Sequence, residues 1–408
     1  MPAGPEVKGA RWGAVAAKIK SVAENREPAL DLALLELAPG STVAGVFTQN
    51  AFRAAPVEIA EARIKSLKTA THSEKIYCLI NAGNANAGTG DDGYQAALDT
   101  TAGIANALGT AADSILPFST GVIGEPLPVQ NFLDSAHALV SELSTDGWER
   151  ASRAIMTTDT VPKLVQRDIV IDGQQATIAG IAKGAGMIKP NMATMLSYIV
   201  TDLLIDQAAL QQLLDHAVNR SFNRITVDGD TSTNDACILA ATGGAEIALS
   251  RESAEWTQVE AAVSDLMREL AQSIIRDAEG ASKFITLDIK GGASADECLA
   301  VGYAVAESPL VKTAFFASDA NWGRILAAVG RSGLTELDVN QITIQLGDHL
   351  ICEKGGRASS YVEEEAMRIM AQKEITITID LNRGKSHETL WTSDLSHDYV
   401  SINADYRT

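Results

Sequence analysis

Apolar and polar positions along the chain fall into short blocks, some with a period of two and some with the spacing of a helix face. Near the end, Ile375, Ile377, Ile379 and Leu381 alternate with Thr376, Thr378 and Asp380, which predicts a half-exposed strand. Leu210, Leu213, Leu214, Ala217 and Val218 follow the i, i+3, i+4, i+7, i+8 spacing of a helix with one buried face, opened by Asp206 as N-cap. A second long amphipathic helix lies in "EWTQVEAAVSDLMRELAQSIIRDAEG", with Gly280 as its stop. "KIYCLI" (Lys75 to Ile80) reads as a strand that leads through the small-residue loop "NAGNANAGTGDDG" into a helix from Tyr94. From Thr194 to Thr201 the pattern is apolar on both faces: Leu196, Tyr198 and Val200 alternate with Met195, Ser197 and Ile199, as in a strand sandwiched between layers. The mixture is α/β or α+β, with a strand-rich last third and no repeat or low-complexity linker.

Composition narrows the classes. At 408 residues the chain has room for two or three domains with substantial cores. It is 46% hydrophobic and 21% charged, ordinary for a soluble globular protein. A formal net charge of -19 argues against nucleic acid or an anionic membrane as partner. The N-terminal stretch lacks a continuous apolar run and no segment approaches membrane-spanning length, so a cytoplasmic protein is expected. Cys78, Cys237, Cys298 and Cys352 form no CxxC pair and read as buried free thiols.

Most familiar chemical motifs fail on inspection. "GTGDDG", Gly88 to Gly93, has the glycine spacing of a dinucleotide fingerprint, yet Asp91 and Asp92 occupy the place of the pyrophosphate and seven residues separate it from the preceding strand. "RGKS" at Arg383 has Ile379 where a phosphate-binding loop needs glycine. The six histidines show no metal-ligand spacing, and no GxSxG elbow occurs. "DGDTSTND" (Asp228 to Asp235) brings Asp228, Asp230 and Asp235 close in sequence, but a calcium loop counted from Asp228 would have Thr233 and Leu239 at its glycine and glutamate positions. It reads as a structural or substrate-proximal loop, and no metal is expected.

What remains is Thr194, at the point where a glycine-rich loop (Gly184, Gly186, Pro190) hands over to the two-sided apolar strand. A threonine hydroxyl is a weak nucleophile without a base. Cutting the chain before the threonine would supply one, its own α-amine, with an unperturbed pKa of about 7.7–8.0. From the residues alone, a core-facing or ladder-bonded threonine opening a strand is the better reading.

Resemblance shifts that balance. "KGAGMIKPNMATML" (Lys183 to Leu196) is similar to the self-cleavage segment of the ornithine acetyltransferase (glutamate N-acetyltransferase) family, the arginine-biosynthesis bifunctional proteins. Further blocks extend the likeness over nearly the whole chain: "VFTQN", "NAGNANAGTG", "STGVIGEPLP", "MTTDTVPK", "DGDTSTND", "EGASKF", "SDANWGRI" and the tail "YVSINADYRT". The resemblance implies self-cleavage between Ala193 and Thr194, with Thr194 as the nucleophile of both self-cleavage and acetyl transfer. It makes Thr120 and Gly121 the oxyanion hole, and Thr157, Lys183, Thr194, Glu279, Asn403 and Thr408 the substrate contacts. The implied reaction moves acetyl from N2-acetylornithine to glutamate by a ping-pong route through an acetyl-Thr194 ester. No cofactor or metal is implied, and the sequence leaves open whether acetyl-CoA serves as co-substrate, as it does in the bifunctional members.

The fold implied is a layered α/β sandwich resembling N-terminal nucleophile enzymes, with smaller α/β domains in the second chain. Residues 1–193 would be the α chain. Residues 194–408 would be the β chain: a nucleophile strand over 194–205, an intermediate region over about 206–285 and a C-terminal domain over about 286–408. The expected assembly is an α2β2 heterotetramer of the protein's own fragments. Two other classes stay open: an aminopeptidase or amidase of related fold, in which water intercepts the acyl-enzyme, and an uncleaved binding protein, which would run as one band on a denaturing gel.

Overall fold

The computed structural model describes residues 4–20, 29–67, 74–189 and 195–404. The chain divides into two compact units, one of Met1–Gly184, Asn191–Asn223 and Thr231–Ile274, the other of Ala185–Pro190, Arg224–Asp230 and Ile275–Thr408.

The first unit is built on two sheets. One has the order β1 (Ala10–Val15), β2 (Leu32–Leu37), β4 (Ile76–Asn84), β5 (Ile115–Val122). The other has the order β3 (Thr42–Phe47), β9 (Ala236–Ala241), β8 (Leu196–Thr201), β7 (Gln174–Lys183), β6 (Lys163–Ile171). Each sheet contains one parallel pair, β4 with β5 and β8 with β9, and a parallel pair needs a crossover. The crossovers are α2 (Gly90–Leu108) and α5 (Gln207–Asn219).

Side chains of the two sheets' inner faces share one core, with Trp12, Leu35, Cys78 and Phe118 from the first sheet and Ile181, Tyr198 and Ile238 from the second. Trp12, Trp148, Phe118 and Tyr198 meet edge to face at 5.3–5.9 Å between ring centroids. Such pairs contribute about 0.5–1.5 kcal/mol each beyond their buried area. Outside the first sheet, Ile104 of α2 and Phe132 and Leu139 of α3 (Val129–Ser141) cover Leu34, Leu79 and Ile115. Outside the second, α5 packs on β3 and β9. Leu266 and Leu270 of the long helix Trp256–Arg276 come up against Gly180 of β7. The result is a four-layer α/β/β/α sandwich, the architecture the family resemblance implies. All six residues of β8 are buried, because a central strand between two covered faces has no exposed side.

The second unit centres on a mixed seven-stranded sheet, in which Phe284–Gly292 runs parallel to Glu374–Asp380 and antiparallel to Ser386–Ser393. Ile375, Ile377 and Ile379 of Glu374–Asp380 point into a core with Leu287, Ile289, Val301 and Val305, as the alternation predicts. A helix, His397–Ala404, ends the described chain.

Three expectations need adjustment. Strand β4 does not stop at Ile80 but runs to Asn84, so three residues, Ala85–Ala87, and not seven separate it from Gly88. Helix α2 begins at Gly90, ahead of Tyr94, with Asp91 and Asp92 in its first turn, where they favour the helix dipole. The long helix ends at Arg276, which leaves Glu279 in the turn beyond it and not on the helix end. All four cysteines are free and buried. Among the described residues no helix is long and apolar enough to cross a membrane.

Candidate functional site

In the first unit the site gathers where β5, β7, β8 and β9 begin or end. Thr120 and Gly121 lie at the C-terminal end of β5, beside Ala82 and Gly83 of β4. Gly121 has φ +135°, and a Cβ there would collide with the backbone of Gly83 and Asn84. Only glycine lets the two strand ends close to this distance. Lys183 is the last residue of β7 and pairs in the antiparallel ladder with Leu196, the first residue of β8. Its side chain is buried and its Nζ donates to Thr120 Oγ1 at 3.1 Å. An ammonium has no lone pair, so Thr120 must be the acceptor and keeps its own hydroxyl proton for another partner. Accepting from a cation also polarises that hydroxyl and strengthens its donation.

A second carboxyl-centred cluster supports Lys183. Asp159, with a wholly buried side chain, accepts from Lys163 Nζ at 2.6 Å, from the Gly184 N–H at 2.8 Å and from the Thr157 N–H at 3.0 Å. Burial alone would raise its pKa. The charges of Lys183 and Lys163, with the Gly184 N–H, outweigh that and hold it below the usual carboxylate range. Lys20 shares the same surroundings. Burial lowers its pKa and the like charge of Lys183 adds to the effect, against the attraction of Asp31 and Asp159. Half-buried Thr157 therefore reaches the cluster through its backbone N–H.

The segment Ser232–Asp235 braces the other side. Asn234 Nδ2 donates to the carbonyls of Ala85 at 2.7 Å and Ser119 at 2.9 Å, tying the start of β9 to the strand that carries Thr120. Asp235 Oδ1 accepts from the Met195 N–H at 3.1 Å. Here burial pushes the carboxyl well above its ordinary range, opposed by the Met195 N–H, Ser232 and the Lys183 charge.

In the second unit, the Glu279 N–H donates to the Ala185 carbonyl at 2.9 Å, and its carboxylate lies so close over Gly186 that any side chain there would strike it. Asn403 Nδ2 donates to Glu279 Oε2 at 2.8 Å and to the Tyr399 carbonyl at 3.0 Å. Tyr399 donates its hydroxyl to Asp228 Oδ2 at 3.0 Å, and Asp228 also accepts from the N–H groups of Met187 and Ile188 at 2.7 and 2.9 Å. Burial raises Asp228 despite these donors, and burial together with Asp228 raises Tyr399. The tail helix is thus folded against the Glu279 turn and is an ordered part of the unit.

Of the residues singled out by sequence, Thr120 and Lys183 are in contact, as are Glu279 and Asn403. Gly121 adjoins the first pair, and Thr157 is linked to it through Asp159 and Gly184. Ala193, Thr194 and Thr408 lie outside the described residues. Sequence reasoning passed over Asp159, Lys163 and Asn234. The one available signal was the i,i+4 spacing of Asp159 and Lys163 inside "MTTDTVPK". Among the described residues no group of three or more His, Cys, Asp or Glu side chains could hold a metal. Asp228 and Asp235, two members of the acidic loop, both accept from backbone N–H groups.

Comparison with known proteins matches a family model, two relatives and a solved structure. The ArgJ family model matches residues 11–408. The chain is 51% identical over 410 residues to the arginine biosynthesis bifunctional protein ArgJ of Pseudomonas syringae pv. tomato, covering 100% of this chain and 98% of that protein. The protein of the same name from Pseudomonas fluorescens gives the same identity and coverage. A crystal structure of the arginine biosynthesis bifunctional protein ArgJ from Bacillus halodurans is 40% identical, with a TM-score of 0.50, covering 52% of this chain and 99% of that one.

Proposed function

The chain belongs to the ArgJ family, and from that premise we propose that it cleaves itself between Ala193 and Thr194 and then carries acetyl from N2-acetylornithine to glutamate on the Thr194 hydroxyl. It is an acetyltransferase of arginine biosynthesis. The observation that carries the finer reading is the Lys183–Thr120 hydrogen bond. It ties a polarised hydroxyl to Lys183, whose backbone pairs with Leu196 at the start of β8, the strand that follows Thr194 in the chain.

In self-cleavage, Thr194 Oγ adds to the Ala193 carbonyl carbon, the peptide C–N bond breaks, and the released nitrogen takes a proton to become the α-amine. Water then hydrolyses the ester, leaving the Ala193 carboxylate and a free Thr194 hydroxyl. In transfer, Thr194 Oγ attacks the acetyl carbonyl of N2-acetylornithine while its proton passes to the Thr194 amine and on to the departing ornithine nitrogen. The amine of glutamate attacks the acetyl ester, gives up a proton by the same route in reverse, and leaves as N-acetylglutamate.

Each attack puts negative charge on the acetyl oxygen. The Thr120 hydroxyl and the Gly121 N–H are the donors assigned to it, and one such donor contributes about 2.7–4 kcal/mol to lowering the barrier. Glu279, steadied by Asn403, supplies the anion for an ornithine ammonium. The word "bifunctional" in the relatives' names supports acetyl-CoA as a second acetyl donor to glutamate.

Thr194→Ala tests the core of the reading. The wild type is expected as two fragments, the larger starting Thr-Met-Leu-Ser, and the variant as one chain without transferase activity. A variant that still splits at 193/194 removes the hydroxyl from the mechanism. Parallel assays of the wild type with N2-acetylornithine plus glutamate and with acetyl-CoA plus glutamate then decide the donors.

A further inference from the structure

Asp235 sits immediately before β9 with its side chain sealed from solvent, and it does more than fill space. The ladder between β8 and β9 opens with Leu196 opposite Ala236, so the backbone of Met195 lies ahead of it. Asp235 Oδ1 accepts the Met195 N–H at 3.1 Å, and the neighbouring Ala236 N–H donates to the Met195 carbonyl at 3.2 Å. Residues 235 and 236 thus grip both polar backbone groups of Met195. The pair is itself fixed, because the Asp235 carbonyl accepts the Thr48 N–H at 3.0 Å.

Asp235 Oδ2 is buried and has no hydrogen-bond partner among the described residues. A buried carboxylate oxygen without a partner is costly, which fits the direction of its shift: burial raises the Asp235 pKa against the Met195 N–H and Ser232. With both its N–H and its carbonyl bonded, the Met195 backbone is fixed where it leads into β8. Cutting the chain before Thr194 would make Met195 the second residue of a new chain, and chain ends fray unless they are tied down.

We infer that Asp235 is a positioning residue for the nucleophile, an acceptor that pins the Met195 peptide and so holds the start of β8 in register once the chain ahead of it is cut. This rests on the reading of Thr194 as the nucleophile.

The test compares Asp235→Asn with Asp235→Leu in the full chain, reading kcat and KM for acetyl transfer together with hydrogen exchange at the Met195 amide. Asp235→Asn keeps an acceptor at Oδ1, so cleavage, kcat and Met195 protection stay near wild type. Asp235→Leu keeps the bulk without the acceptor. The Met195 amide then exchanges about tenfold faster while α5 amides are unmoved. A misplacement of about 1 Å lowers kcat on the order of 10²-fold with KM little changed.

If Asp235→Leu gives no folded protein, Asp235→Ala carries the same comparison. Wild-type kcat and Met195 protection in the apolar variant overturn the inference. So does an Asn variant as slow as the Leu variant, which would require an ionisable group. A wild type that transfers no acetyl defeats the functional reading alone, and Met195 exchange still judges the clamp.

Discussion

Asp159 and Asp235 are both buried in the first unit, both feel the charge of Lys183, and their pKa values are shifted in opposite directions. Asp159 has a lysine in direct contact as well as Lys183 nearby, and two backbone N–H groups besides; it is held as an anion. Asp235 has only neutral donors among the described residues, the Met195 N–H and Ser232, and burial raises its pKa. Burial is common to the two, so burial does not set the charge. The difference is a cation in direct contact: Asp159 is paired with Lys163 Nζ, while Asp235 holds the Met195 backbone.

The most damaging way to probe this contrast is to neutralise the charged member. Asp159→Asn takes the carboxylate charge from Lys163 in a site with no exposure, and breaking a buried pair in this way costs about 3–5 kcal/mol. Urea denaturation should show that loss, with part of it recovered when Lys163→Met is added. A loss under about 1 kcal/mol would mean a cluster as well solvated as a surface pair.

The same titrations across pH should give opposite signs for the two positions. Asp159 has a lowered folded-state pKa, so its contribution is present above the unfolded value of about 3.9 and disappears as pH falls through the folded value. Asp235 has a raised folded-state pKa, so wild-type stability falls as pH rises from about 3.9 toward the folded value, and Asp235→Asn escapes that loss. Parallel pH profiles for the two Asn variants would erase the distinction.

Thr120 sharpens the contrast from the neutral side of Lys183. Thr120→Ala should lower kcat by about 10²–10³, or 2.7–4 kcal/mol in the barrier, with little change in Tm, whereas Thr120→Ser keeps the hydroxyl and most of the rate. Equal rates for the Ala variant and wild type would return "STG" to an ordinary turn. A smaller effect is expected on pH dependence. A lysine near the Thr194 amine disfavours the ammonium form, so Lys183→Met should move the rising limb of kcat/KM to higher pH, toward or beyond the unperturbed amine range of about 7.7–8.0. A raised KM with the limb unmoved would leave Lys183 as a carboxylate contact only.

Elements with one dominant periodicity were legible from the sequence alone. Asp206 caps α5 through bonds from the Ala208 and Ala209 N–H groups, and Leu210, Leu213, Leu214, Ala217 and Val218 are the buried face, as spaced. The end of β4 was not legible, because "NAGN" carries turn residues. Asn81 is held within the strand by donating to the Asn84 carbonyl at 2.8 Å and accepting from Ser119 Oγ at 2.6 Å, partners that only the folded sheet supplies. Placement of Thr120, Lys183, Glu279 and Asn403 came through family likeness rather than pattern. Asp159 was missed for a physical reason: a fully buried aspartate and a surface aspartate are identical in one dimension, and the lysines that keep it charged come from Lys163 and Lys183, on two different strands.

The five-stranded sheet has a consequence for molecularity. Its two central strands, β8 and β9, come from the chain after residue 194, and they are flanked by β3 on one side and β7 and β6 on the other, all from the chain before it. Ala185–Ile188, also from the first stretch, is bonded into the second unit by the Glu279 and Val227 N–H groups and by Asp228. Folding is therefore a one-body event only while the chain is whole. After a cut at 193/194 each fragment lacks the inner or the outer strands of a shared sheet, and recovery from unfolding becomes a two-body search that depends on concentration. The cut would convert a reversible fold into one that is assembled once, with the fragments staying together because neither has a complete structure to fall back to.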